Sequence, residues 1–78
     1  MKEMWYVTEL CQTKDGKTPT LTTPYNNADA AEGAYYSTVA SKIADKSNLE
    51  LATVILSGMT GEIIERKTIN NVEPTPSV

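Results

Sequence analysis

Histidine is absent from the 78 residues of this chain. With it go the commonest general base, the usual base of a nucleophilic triad and the most frequent metal ligand. Serines and threonines are plentiful, yet no evidently buried lysine stands in to activate one. The ten acidic residues run singly from Glu3 to Glu73, at no spacing that makes a calcium loop. The sequence therefore predicts a protein that is not an enzyme, with no catalytic residue, no metal site and no cofactor.

Cysteine is nearly absent too. Cys11 stands alone, so no intrachain disulfide staples the fold, and it reads as a small apolar strand residue. No basic residue lies close in sequence to make it a reactive thiolate. Positive charge is scarce: seven Lys and Arg face ten Asp and Glu, for a net charge of -3, and Arg66-Lys67 is the one basic pair. A phosphate-binding stripe needs concentrated positive charge, so no nucleic-acid partner is expected.

Long apolar runs are missing. The longest, Val54-Ile55-Leu56 with Leu51 and Ala52 just ahead, is far too short to span a bilayer. The first ten residues include Glu3 and Glu9 and do not read as a secretory signal. The expectation is a soluble, cytoplasmic protein with no membrane partner. Gly58-Met59-Thr60-Gly61 has neither a lysine nor a helix after it, so it reads as a turn and not as a phosphate loop.

What remains is an ordinary globular composition, 40% apolar and 22% charged. A chain this short has room for one core, since folding removes only roughly 60% of its unfolded surface. The run from Glu3 to Gln12 is aromatic and β-branched, and Lys14-Asp15-Gly16-Lys17 supplies hairpin turn chemistry. A return strand follows over Thr18 to Thr23, with Pro24 closing it. Asn26 and Asn27 are N-cap residues for a helix running to about Lys46, where Ser47 and Asn48 offer a stop.

At 100° per residue, Ala28, Tyr35, Tyr36, Val39 and Ile43 form the stripe expected to face the sheet. Glu32 falls near the middle of that stripe, within reach of Tyr36, and the pair marks a polar intrusion on an apolar helix face. Leu49 to Ser57 and Glu62 to Ile69 form the clearest hairpin. Residues 70–78, with two prolines and no periodicity, read as a flexible C-terminal tail. The predicted fold is α+β: one domain over residues 1–69, in the order β-β-α-β-β, a four-stranded antiparallel sheet with one helix on one face.

Alternation splits both long strands into two apolar sides. Trp5 and Val7 oppose Met4, Tyr6 and Leu10, while Leu49, Leu51 and Ile55 oppose Ala52, Val54 and Leu56. One helix covers one face, so a partner is expected on the other, most simply a second copy. Met4, Tyr6, Leu10, Ala52, Val54 and Leu56 are the interface candidates. A charged replacement at Val54 or Tyr6 is then expected to break the oligomer and leave a soluble monomer.

Trp5-Tyr6-Val7-Thr8-Glu9-Leu10, the turn Asp15-Gly16, Ala31-Glu32-Gly33-Ala34-Tyr35-Tyr36, and Ala52-Thr53-Val54-Ile55-Leu56 before Gly61-Glu62-Ile63-Ile64 carry a likeness. Through them the chain, apart from its tail, resembles a group of short uncharacterised proteins encoded in prophages and other mobile elements of gut Firmicutes. It departs from them in lacking histidines near the helix and the last strand. The resemblance implies a phage or mobile-element setting in the cytoplasm of a bacterial host. The expected function is a non-enzymatic interaction protein that self-associates through its sheet, as a phage accessory protein. The alternatives are an inhibitor directed at a host protein and a small-ligand sponge.

Overall fold

The computed structural model describes residues 3–45 and 49–71. Four strands and a helix follow one another as β1 (Trp5–Thr13), β2 (Thr20–Tyr25), α1 (Ala28–Ala44), β3 (Leu49–Ser57) and β4 (Ile63–Asn70). The strands pair antiparallel in the order β2-β1-β3-β4. The fold is the expected α+β arrangement, with α1 packed on one face of an open sheet.

Both hairpins are closed by the same device. Gly16 and Gly61 each take φ +90°, which an L side chain rarely adopts. Beside each glycine a threonine hydroxyl donates to a carboxylate two residues on, Thr13 to Asp15 and Thr60 to Glu62. These hydroxyls hold both carboxyls below the ordinary carboxylate range. At the start of α1, the Asn27 side chain accepts from the N–H groups of Asp29 (2.8 Å) and Ala30 (3.1 Å). Asp29 adds negative charge to the first turn, favourable to the helix dipole.

Pro24 lies inside β2 and does not end it. The backbone bonds Cys11 N–H to Pro19 O and Thr13 N–H to Lys17 O mark hydrogen-bonded pairs, and such pairs alternate along an antiparallel ladder. Pro24, opposite Tyr6, falls on the other kind of pair. Its missing N–H therefore points away from β1 and costs no ladder bond. At the other end of the chain, β4 includes Asn70, and Asn71 N–H bonds the Glu50 carbonyl at 2.8 Å. Asn70, assigned to a tail, thus belongs to the sheet, and Asn71 is bonded to it. The proposed stop at Ser47 and Asn48 and the remaining tail lie outside the described residues.

The core is thin and one-sided. Val7, Ala31, Tyr35, Val54 and Leu56 form its centre, with Trp5, Tyr25, Ala34 and Val39 packed against them. Leu49, Ala52 and Ile69 are also buried. Three of the proposed interface residues, Ala52, Val54 and Leu56, therefore lie beneath the helix and not on the uncovered face. Register is the reason: Val7 pairs with Leu56 and Cys11 with Ala52, so those sides share a face. Leu49 joins them because the ladder slips between Gln12 and Thr13, leaving Glu50 as an extra residue and turning Leu49 to the helix side.

The helix is also rotated from the expected stripe. Ala31 and Tyr35 are buried and Ala34, Thr38, Val39 and Lys42 half-buried, whereas Ala28, Tyr36 and Ile43 are exposed. Small residues at 31 and 34 let the helix sit close to the sheet, and packing, not the greatest apolar sum, sets its azimuth. Glu32 is consequently exposed on the helix flank and intrudes on nothing.

Face assignment makes a direct prediction. Val54→Ala, at a side chain with no exposure, should lower the unfolding free energy by about 2 kcal/mol. Ile55→Ala, one residue along and on the other face, should cost under about half of that. Urea unfolding of both variants measures the contrast, and Val54→Asp should fail to fold instead of yielding a soluble monomer.

Candidate interaction surface

The face opposite the helix follows from the same register. It carries Tyr6, Thr8, Leu10 and Gln12 from β1, flanked by Leu51, Thr53, Ile55 and Ser57 from β3. The outer strands add Thr20, Thr22 and Pro24 from β2, and Ile63, Arg66, Thr68 and Asn70 from β4. Of the interface candidates, Tyr6 and Leu10 lie here, Leu10 with 43% exposure. Leu51 and Ile55, first grouped with the opposite side, complete the apolar strip. The rest of the face is largely threonine, with apolar side chains concentrated on the two central strands.

The threonines are satisfied among themselves. Thr8 and Thr22 bring their Oγ1 atoms to 3.2 Å, and Thr53 and Thr68 do the same. Cross-strand bonds of this kind partner the hydroxyls and leave β-branched methyl groups beside the apolar strip. Among these face residues Arg66 is the one charged side chain, in a chain holding 17 Lys, Arg, Asp and Glu residues (7 plus 10). Met4 stands apart, before β1, where with Trp5, Met59 and Thr60 it borders an open depression of about 220 Å³.

The helix side holds two polar links. Lys42 Nζ lies 2.8 Å from Glu9 Oε1, with the two side chains 21% and 19% exposed. The pair borders an open depression of about 210 Å³ with Cys11, Leu21 and Leu49. The hydrogen bond to Glu9 raises the Lys42 pKa above its ordinary value, against an opposing desolvation effect, with the nearby Cys11 adding to the rise. Lys42 also stands in the last turn of α1, where its charge favours the helix dipole. The overlooked signal was Glu9, an acid sharing the strand side of Trp5 and Val7.

Tyr36 forms the second link, donating to Glu65 Oε1 at 3.0 Å. That bond raises the Tyr36 pKa, and neighbouring Glu32 adds to the effect. The Tyr35 ring meets Tyr36 edge-on at 5.2 Å, and burial raises its own pKa. Glu65 Oε2 is buried without a hydrogen-bond partner among the described residues. The expected Glu32–Tyr36 site is thus a Tyr36–Glu65 contact, helix to β4.

Among the described residues no three His, Cys, Asp or Glu side chains group as metal ligands, and no helix is long and apolar enough to cross a membrane. No family model, no curated protein and no solved structure matches this chain.

The Glu9–Lys42 pair is testable by linkage. Removing one partner by Lys42→Met should cost about 1 kcal/mol at neutral pH, because a largely buried carboxylate loses its cation. The Lys42 pKa is raised in the folded state, so the pair's contribution is whole below the ordinary value of 10.5 and is lost as pH rises through the folded value. The stability gap between wild type and Lys42→Met should therefore close in strongly alkaline buffer, as read from urea midpoints.

Proposed function

We propose that this chain is a non-enzymatic interaction protein that associates with a second copy through the uncovered face of its sheet. The carrying observation is the chemistry of that face: Tyr6, Leu10, Leu51 and Ile55 at its centre, paired threonine hydroxyls around them, and one charge. Depletion of charge at the centre of a patch is the compositional mark of a protein interface. Hydroxyls that already bond one another are also less costly to remove from water.

Size supports the same reading. Strands of nine, six, nine and eight residues, at about 3.3 Å per residue and spaced by about 4.8 Å, present roughly 500 Å². Two stacked copies would bury roughly 1,000 Å², about what a specific interface requires. A nearly uncharged surface offers no electrostatic address to a partner of opposite sign, and a second copy meets it with matching chemistry. The resemblance to prophage-encoded proteins supports the setting of a small accessory protein in a mobile element.

Sedimentation equilibrium tests the reading. Leu10→Asp should halve the mass of the wild-type assembly while the unfolding free energy, compared at a concentration low enough to dissociate the wild type, stays within about 0.5 kcal/mol, as for an exposed position. A wild-type monomer at high micromolar concentration, or an assembly indifferent to Leu10→Asp, overturns it.

A further inference from the structure

The two edges of the sheet differ in their fitness for further pairing. At β2 the outward-facing backbone includes Pro24, which has no N–H to give. At β4 the bond from Asn71 N–H to Glu50 O, with the register of β3 and β4, assigns Glu65, Lys67 and Ile69 to β3. Arg66 and Thr68 therefore turn their backbone N–H and C=O groups to the outer edge. No proline interrupts Ile63–Asn70, and Ile63 and Ile64 are 56% and 50% exposed beside it.

We infer that β4 pairs antiparallel with β4 of a second copy, extending the sheet to eight strands about a two-fold axis at Arg66. Charge selects this register. With Arg66 opposite its symmetry mate, Glu65 stands opposite Lys67 of the partner subunit on the helix side, and the contact occurs twice. Sliding by one step either way sets Glu65 against Glu65 of the partner subunit, or Lys67 against Lys67 of the partner subunit. The selected register does bring two arginines together, but on the open face, where long side chains can splay into water.

The contact with Tyr36 fixes the Glu65 carboxylate for this pairing. Its Oε1 accepts from Tyr36, while Oε2 is buried with no hydrogen-bond partner among the described residues. Across the seam from that carboxylate, which is held on the helix side of β4, the pairing brings the ammonium of the partner subunit's Lys67. Because this axis stands perpendicular to the sheet, the open faces of both copies lie side by side. Joined, they offer roughly 1,000 Å², so stacking two such sheets would bury roughly 2,000 Å² in a tetramer of dihedral symmetry.

The edge seam is separate from the stacked face and is tested separately. In a hydrogen-bonded antiparallel pair the two Cα atoms lie about 5.5 Å apart, within the range a disulfide spans. Arg66→Cys in a Cys11→Ser background, also carrying Leu10→Asp to disable face stacking, should cross-link to a dimer with oxidised glutathione at low micromolar concentration. Thr22→Cys on the β2 edge, in the same background, should stay monomeric. Equal cross-linking of the two variants, or none by Arg66→Cys, overturns the edge seam even if Leu10→Asp has halved the wild-type mass. Cross-linking with no effect of Leu10→Asp on that mass keeps the seam and removes the stacked face.

Discussion

Val7 opposite Leu56 and Cys11 opposite Ala52 is the alignment on which the rest of this molecule depends. β1 and β3 are the central strands, and each has apolar residues on both sides. Their register alone decides which sides coincide, since a slip by one residue would carry a strand's whole side-chain set to the opposite face. Given this register, Val54 and Leu56 go under the helix and Leu51 and Ile55 go out, and the surface available for association follows.

A single helix on a four-stranded sheet makes a thin core, and the contacts that hold it are correspondingly few in kind. Ala31 and Ala34 permit close approach, Tyr35 fills the space beside Val54 and Leu56, and two polar links fix the helix laterally. Lys42 ties it to β1 through Glu9, and Tyr36 ties it to β4 through Glu65. Both acids lie on the helix side of the sheet, where strand alternation would otherwise place apolar groups. Each trades some apolar burial for a directional contact, which a one-sided sheet needs to keep its cover in a single orientation.

The same economy explains why the sheet ends as it does. Pro24 withdraws a donor from the β2 edge without disturbing the ladder, while β4 keeps its outward backbone groups and carries charges of both signs. Edge strands are ordinarily protected by charge, but charges of both signs on one strand favour one antiparallel self-pairing over its neighbours. An open face with one charge and an edge with a self-complementary pattern are properties of one sheet, seen from two directions.

Local chemistry was legible in the residues. Gly16 and Gly61 in the turns, Asn27 at the helix start, the paired apolar sides of β1 and β3, and the β-β-α-β-β order all follow from short-range preferences that need no knowledge of the fold. Which apolar side meets the helix was not legible, because alternation defines two sides of a strand but says nothing of its neighbour's alignment. The bulge that turned Leu49 inward, the helix rotation that exposed Glu32 and Tyr36, and the pairing of Glu9 with Lys42 across 33 positions are likewise outcomes of packing. By itself the sequence determined the elements and their punctuation. Only the tertiary structure decided which residues are core and which are surface, since burial belongs to pairs of elements and a single strand or helix cannot specify it.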